Sequence, residues 1–182
     1  TRYFTLFPYT TLFRSSSPDW TARSVFGVLK MTIDVLCRRA ELEVDDVARA
    51  IAEVKPDALI LDANCWGAIS AADAGDIPWA VFSPFTPFLR SRGVPPVGPG
   101  MRPWSGPVGA VRDWILRGVV WQVMDRPMLP RLNAVRERVG APPVHSVDEF
   151  LRRAPLMLVV GGEPFEYPHP DWGDRVHLIG AC

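Results

Sequence analysis

Asp62 closes a short apolar run, Ala58-Leu59-Ile60-Leu61. Asn64 follows, and then a small-residue segment with Ala68, Ile69, Ala71, Ala72 and Ala74 that stops at Gly75. A carboxylate at the end of a buried strand has two uses. It can accept the N–H of an imidazole, orienting and charging a catalytic base. It can also cap backbone N–H groups where the next helix begins. Spacing alone favours the cap. Glu163, after the apolar residues 156–160, has the same two uses, with the structural one stronger. His145, His169 and His177 show no metal-ligand spacing. His145 precedes a helix cap and reads as a surface residue. His169 lies in a proline-rich loop, and His177 alternates within a strand and reads as packed or half-exposed. Cys37, Cys65 and Cys182 are few, odd in number and far apart, against a disulfide framework or clustered metal site. There is no GxGxxG, no P-loop and no GxSxG elbow. A Gly-rich phosphate cradle and a hydrolase nucleophile are therefore both missing.

The elements that must position Asp62 follow from the same stretch. Residues 58–61 are too few for a helix and read as a strand buried on both faces. Asn64 can cap the helix after it, and Pro78 opens a second apolar run, residues 79–82. Strand, helix, strand within so few residues is a βαβ unit and predicts a parallel sheet. The end of such a strand is where α/β proteins place ligands. Upstream, residues 20–40 and 41–54 read as two helices, the second opening near Asp45 and Asp46 and ending before Pro56. Residues 83–107 form a long Pro- and Gly-rich connection that carries Phe85, Phe88, Leu89, Met101 and Trp104. Its aromatic content fits a lid or pocket wall, beside the plainer reading of a mobile loop. Residues 108–139 read as a helical stretch kinked or broken at Pro127 and Pro130 and closed by Gly140. Ser146 and Glu149 form a capping box for a short helix running to Arg153. Residues 156–160 and 176–179 read as further strands. The fold class is α/β, a Rossmann-like parallel sheet with flanking helices.

The totals are those of an ordinary globular chain. Of 182 residues, 48% are hydrophobic, and 20 Lys+Arg balance 20 Asp+Glu, which gives no electrostatic case for nucleic acid or an anionic membrane. No apolar run reaches spanning length. The sparse cysteines fit a reducing, cytoplasmic compartment. Residues 5–15, TLFPYTTLFRS, resemble the in-frame translation of a common sequencing adapter. Residues 1–15 are expected to be a non-native segment and residues 16–182 the genuine chain. Setting the segment aside removes Arg2 and Arg14 and leaves the remainder slightly acidic.

The order PDALILD-x₃-WGAISAADAGDIPWAVFS, then a Pro-rich aromatic loop, then APLMLVVGGEPFEYPHPDWGDRVHLIGAC resembles the N-terminal half of the GT-B glycosyltransferases of the macrolide and UDP-glycosyltransferase type. The specific pieces are Glu163-Pro164-Phe165-Glu166-Tyr167-Pro168, Asp171-Trp172 and Val176-His177-Leu178-Ile179-Gly180, and the resemblance covers residues 20–182. It implies two facing Rossmann-like domains, the N-terminal one binding a small, often hydrophobic acceptor and the C-terminal one a nucleotide-sugar (UDP- or dTDP-sugar) co-substrate. It implies an inverting, metal-independent transfer to an acceptor hydroxyl, with no cofactor. A histidine in the first β–α loop acts as base, and Asp62 matches the aspartate that orients it. The acceptor wall would draw on Phe85, Phe88, Trp104, Trp114 and Trp121, with a core role as the alternative for each, more readily so for the two helix tryptophans.

Under this resemblance the histidine-bearing loop falls before Ser16 and the donor domain after Cys182. The chain is then expected to be an incomplete acceptor-binding half, inactive alone. A non-catalytic GT-B-like auxiliary or binding module is the alternative from another class. Another GT-B enzyme, such as a sugar epimerase, would differ by acidic residues in the first loop.

Overall fold

A computed structural model of the chain describes residues 25–97, 100–162 and 166–180. The adapter-like segment, Glu163-Pro164-Phe165 of the closing motif and Cys182 lie outside these.

Helix α1 spans Val25–Val54, 30 residues without interruption. Two helices were expected, but no proline or glycine stands at the junction of Ala40 and Glu41, and both neighbours favour helix. Asp45 and Asp46 therefore lie mid-helix and not in a first turn. Ile33, Cys37, Ala40 and Val44 recur at helical spacing and are buried. The helix ends where Lys55, held at φ 50°, precedes Pro56, a position where α conformation is disfavoured.

The sheet has four parallel strands in the order β1-β2-β3-β4: Leu59–Asp62, Trp79–Ser83, Met157–Val159 and Val176–Leu178. Leu59 to Asp62 pair in register with Trp79 to Phe82, and Ser83 pairs with Val159. Val81 and Val159 are fully buried at the centre. β1 was expected to be covered on both faces. Instead it is an edge strand among the described residues, and Ile60 is 71% exposed.

Helix α2, Trp66–Ala74, crosses between β1 and β2. Helix α3, Pro107–Val120, runs through a π-helical turn, Trp121–Asp125, into α4, Arg126–Arg138. Of the expected kink or break, no break occurs, and the irregularity is the π-helical turn just before Pro127. Pro127 sits in the first turn of α4, and Pro130 lies inside it. The wider turn, closed by Arg126 N–H donating to the Trp121 carbonyl, gives the Pro127 ring room against the carbonyls before it. Trp114, read more readily as core, is 74% exposed, and Trp121 is exposed as well. Gly140, at φ 78°, ends α4 as expected, with Ala141 N–H donating to the Arg136 carbonyl. Helix α5, Val147–Arg152, is capped by Ser146 Oγ, which accepts Glu149 N–H at 3.0 Å. The Glu149 carboxylate turns back to His145 N–H.

Helices α1, α2 and α4 pack on one another. A buried ionic contact joins two of them to the chain beyond α5. Arg136 is fully buried and donates to Asp73 at 2.6 Å and to the Pro142 carbonyl at 2.7 Å. Arg153 also donates to Asp73. The Arg136 guanidinium lies over Phe150, 5.5 Å from the ring centroid. Asp73→Asn keeps the volume but strands a buried cation, so urea unfolding should show a loss of about 3–5 kcal/mol. A double variant, Asp73→Asn with Arg136→Met, should recover much of it.

Candidate functional site

Asp62 ends β1 half-buried. One carboxylate oxygen accepts Asn64 N–H at 2.8 Å, and the Asp62 carbonyl accepts Cys65 N–H at 2.9 Å. Asn64 was expected to cap α2 and does not. The N-cap residue is Cys65, which supplies no side-chain bond. Glu43 of α1 does the work instead, its carboxylate accepting Gly67 N–H at 2.9 Å. Gly67 permits this contact because a Cβ there would lie 2.1 Å from the Ala40 carbonyl oxygen. With the helix start satisfied by Glu43, Asp62 holds only its own turn. No hydrogen bond to its second oxygen occurs among the described residues.

Charge surrounds this turn. Arg39 donates to Glu43 at 2.8 and 3.0 Å and approaches the Cys65 sulfur at 3.4 Å. Burial pushes the Cys65 thiol up to about 12, with Glu43 and Asp62 adding to the rise and Arg39 opposing it. Cys65 is therefore a protonated thiol at neutral pH and a poor nucleophile. For Arg39, burial acts to lower the pKa, but Glu43, Cys65 and Asp62 together outweigh it, so the guanidinium stays charged.

Arg39 of α1, and Asn64 and Trp66 from this turn, enter the wall of a cavity of about 420 Å³, within the size of small-molecule sites. α1 contributes Leu29, Ile33 and Leu36. The connection after β2 contributes Phe85 and Phe88, whose rings meet edge to face at 6.5 Å. The π-helical turn adds Met124 and Asp125. The structure thus brings Phe85 and Phe88 to the cavity. Trp104, Trp114 and Trp121 do not line it and stand exposed. Asp62 is not in the lining either but stands two residues from Asn64, which is.

The connection is a fixed wall over its first half, and the closing motif fixes it. Glu166 accepts the Thr86 hydroxyl at 2.6 Å. Asp171 accepts the Ser91 hydroxyl at 2.7 Å and Arg92 N–H at 3.1 Å. Arg90 N–H donates to Asp148, and Arg152 donates to the Arg90 carbonyl. Burial pushes the Glu166 carboxyl up, but hydrogen bonds from Thr86, His169 and Tyr167 N–H outweigh it and hold it below its ordinary range. Asp171 is likewise held low against its burial by Ser91 and Arg92.

His169 is packed more tightly than its loop suggested. Its side chain is 5% exposed, stacks on Trp172 at 3.6 Å and meets Glu166 through Nε2 at 3.0 Å. His145 and His177 are exposed. None of the three is bonded to Asp62. Glu43, Arg39, Asp125 and the Glu166–His169 pair were not singled out from sequence. Only Arg39–Glu43 carried a local signal, the helical i,i+4 spacing. No group of three or more His, Cys, Asp or Glu disposed to hold a metal ion occurs among the described residues. No helix described is long and apolar enough to cross a membrane.

No family model matches the chain. The chain is similar to a 4'-demethylrebeccamycin synthase of Lentzea aerocolonigenes, 27% identical over 158 residues, which cover 86% of this chain and 38% of that protein. It spans well under half the length of this curated relative.

Proposed function

We propose that this chain is the acceptor-binding part of an inverting, metal-independent glycosyltransferase of the two-domain GT-B type. The parent protein would move a sugar from a nucleotide-sugar to a hydroxyl of a small hydrophobic acceptor. The observation that carries this is the placement of Asp62. It ends a parallel strand, keeps one carboxylate oxygen open among the described residues, and stands beside an apolar cavity of acceptor size. The distant similarity to a glycosyltransferase supports sugar transfer in general.

In this scheme the cavity holds the acceptor, with Phe85 and Phe88 against its apolar body. Asp62 accepts the N–H of a histidine supplied by another segment of the parent, fixes its tautomer and stabilises the imidazolium formed as the acceptor hydroxyl loses its proton. The hydroxyl oxygen then displaces the nucleotide at the anomeric carbon. Trp104, Trp114 and Trp121, outside the cavity, would contact acceptor only if the parent closes over that face. The chain carries no Gly-rich phosphate cradle and places no histidine against Asp62, so alone it would not turn over. Mass-spectrometric assay with UDP- and dTDP-sugars and hydroxylated aromatic acceptors tests this. Transfer is expected from the full-length reading frame and none from the 182-residue chain. Transfer by the short chain would overturn the division of labour, and none by the full-length protein would overturn the activity.

A further inference from the structure

Asp125 is the last residue of the π-helical turn and lines the cavity with a side chain only 8% exposed. In an α-helix Trp121 and Asp125, four apart, would share a face. Here the two differ in exposure: Trp121 is exposed while Asp125 is buried. A buried carboxylate needs partners for about four lone-pair sites. Asp125 has few. The Val147 N–H is near enough to favour its charged form, and the Arg90 guanidinium forms an ion pair with it at 3.6 Å, too far for a hydrogen bond. Burial pushes its carboxyl up, with the Val147 N–H and Arg90 opposing and Asp148 adding to the rise.

The other charged groups of the lining are engaged. Arg39 is held by Glu43, and Arg117 donates to the Ser91 carbonyl at 2.6 Å. Asp148 accepts Arg90 N–H and Arg152. Asp125 is thus the acidic group of the lining with acceptor capacity to spare, among neighbours such as Met124 and Met128 that offer none. We infer that Asp125 determines the specificity of this cavity, accepting a hydrogen bond from an N–H or O–H donor on an otherwise apolar ring ligand and so selecting it over isosteres without that donor. This rests on the proposal that the cavity holds a small-molecule acceptor. It adds an anchoring point distinct from the hydroxyl that would face Asp62. The selectivity arises because a ligand without a donor leaves a desolvated carboxylate with only its longer ion pair to Arg90.

Calorimetric titration of the 182-residue chain with 2-naphthol and with 2-methoxynaphthalene tests the inference without any need for sugar transfer. The alcohol should bind at least about tenfold more tightly than the ether. Asp125→Leu, alike in branching and lacking an acceptor, should bring the two within about twofold by weakening only the alcohol. Asp125→Asn, which keeps a carbonyl, should give an intermediate ratio and carries the test if the leucine variant does not fold. Equal affinities in the native chain, or a ratio that survives both substitutions, would overturn donor selection while leaving the cavity as a ligand site. Binding of neither probe would overturn both.

Discussion

Asp62→Asn in the full-length protein is expected to cut sugar transfer by about 10²–10⁴-fold with little change in thermal stability. The substitution is close to isosteric. The asparagine carbonyl can still accept Asn64 N–H, so the turn after β1 keeps the bond seen at 2.8 Å. The start of α2 does not depend on residue 62, because Glu43 satisfies Gly67 N–H. What is lost is the charge and the acceptor presented by the open oxygen. An amide there can offer an N–H instead, which favours the wrong imidazole tautomer and leaves the imidazolium without a counter-charge. The loss should therefore fall on kcat, with KM nearly unchanged, since the acceptor cavity does not include Asp62. Steady-state kinetics beside a melting curve decide the matter. Unchanged kcat would return Asp62 to a purely local role, holding Asn64. A fall in kcat with a large fall in melting temperature would make the effect structural.

The legibility of this site from sequence divides along a physical line. The βαβ unit around Asp62 was readable because its signals are local: two apolar runs, a small-residue helix, Gly75 and Pro78 as punctuation. The capping box at Ser146 and the glycine stop at Gly140 were readable for the same reason. Expectations failed where a contact runs between distant segments. Asn64 is a good cap by type, yet Glu43 caps α2 from 24 residues upstream of Gly67, and no spacing rule announces that. Apolar periodicity in residues 108–139 suggested buried tryptophans. Val108, Val111, Ile115 and Val119 are exposed along with Trp114, so α3 is apolar on more than one side, and periodicity cannot say which side is covered. Asp125, the last residue of the π-helical turn, is buried where a charged side chain in a helical stretch would be expected at the surface. The Glu166 and Asp171 anchors fall in the closing motif, but their partners Thr86 and Ser91 stand 80 residues earlier. The motif looked like a family signature; its acids hold the cavity wall in place.

Gly67→Ala should be among the most damaging single-methyl additions in this chain. The added Cβ would lie 2.1 Å from the Ala40 oxygen, 2.8 Å from its carbon and 2.9 Å from Glu43 Cβ. Two of these are backbone atoms inside a 30-residue helix, which cannot swing aside as a side-chain tip can. Relief requires α1 and α2 to separate by about an ångström, in the most extensive helix–helix contact among the described residues. Separation lengthens the 2.9 Å bond from Gly67 N–H to Glu43, exposing an orphan helix N–H, and loosens buried Ala40, Val44, Trp66 and Ile69 together. Overpacking with a lost charged cap should cost about 3 kcal/mol or more by urea unfolding. The helix propensity of alanine over glycine returns at most about 1 kcal/mol of that. The damage should also reach the cavity, because Asn64 and Trp66 enter its wall from the first residues of α2. Naphthol binding should weaken in any Gly67→Ala protein that remains folded. Glu43→Gln separates the two causes. It keeps the packing, weakens the cap and the ion pair to Arg39, and should cost about 1 kcal/mol. If Gly67→Ala cost no more than Glu43→Gln, the close helix crossing would not be what fixes this glycine, and the approach of α2 to α1 would have to be looser than the one described.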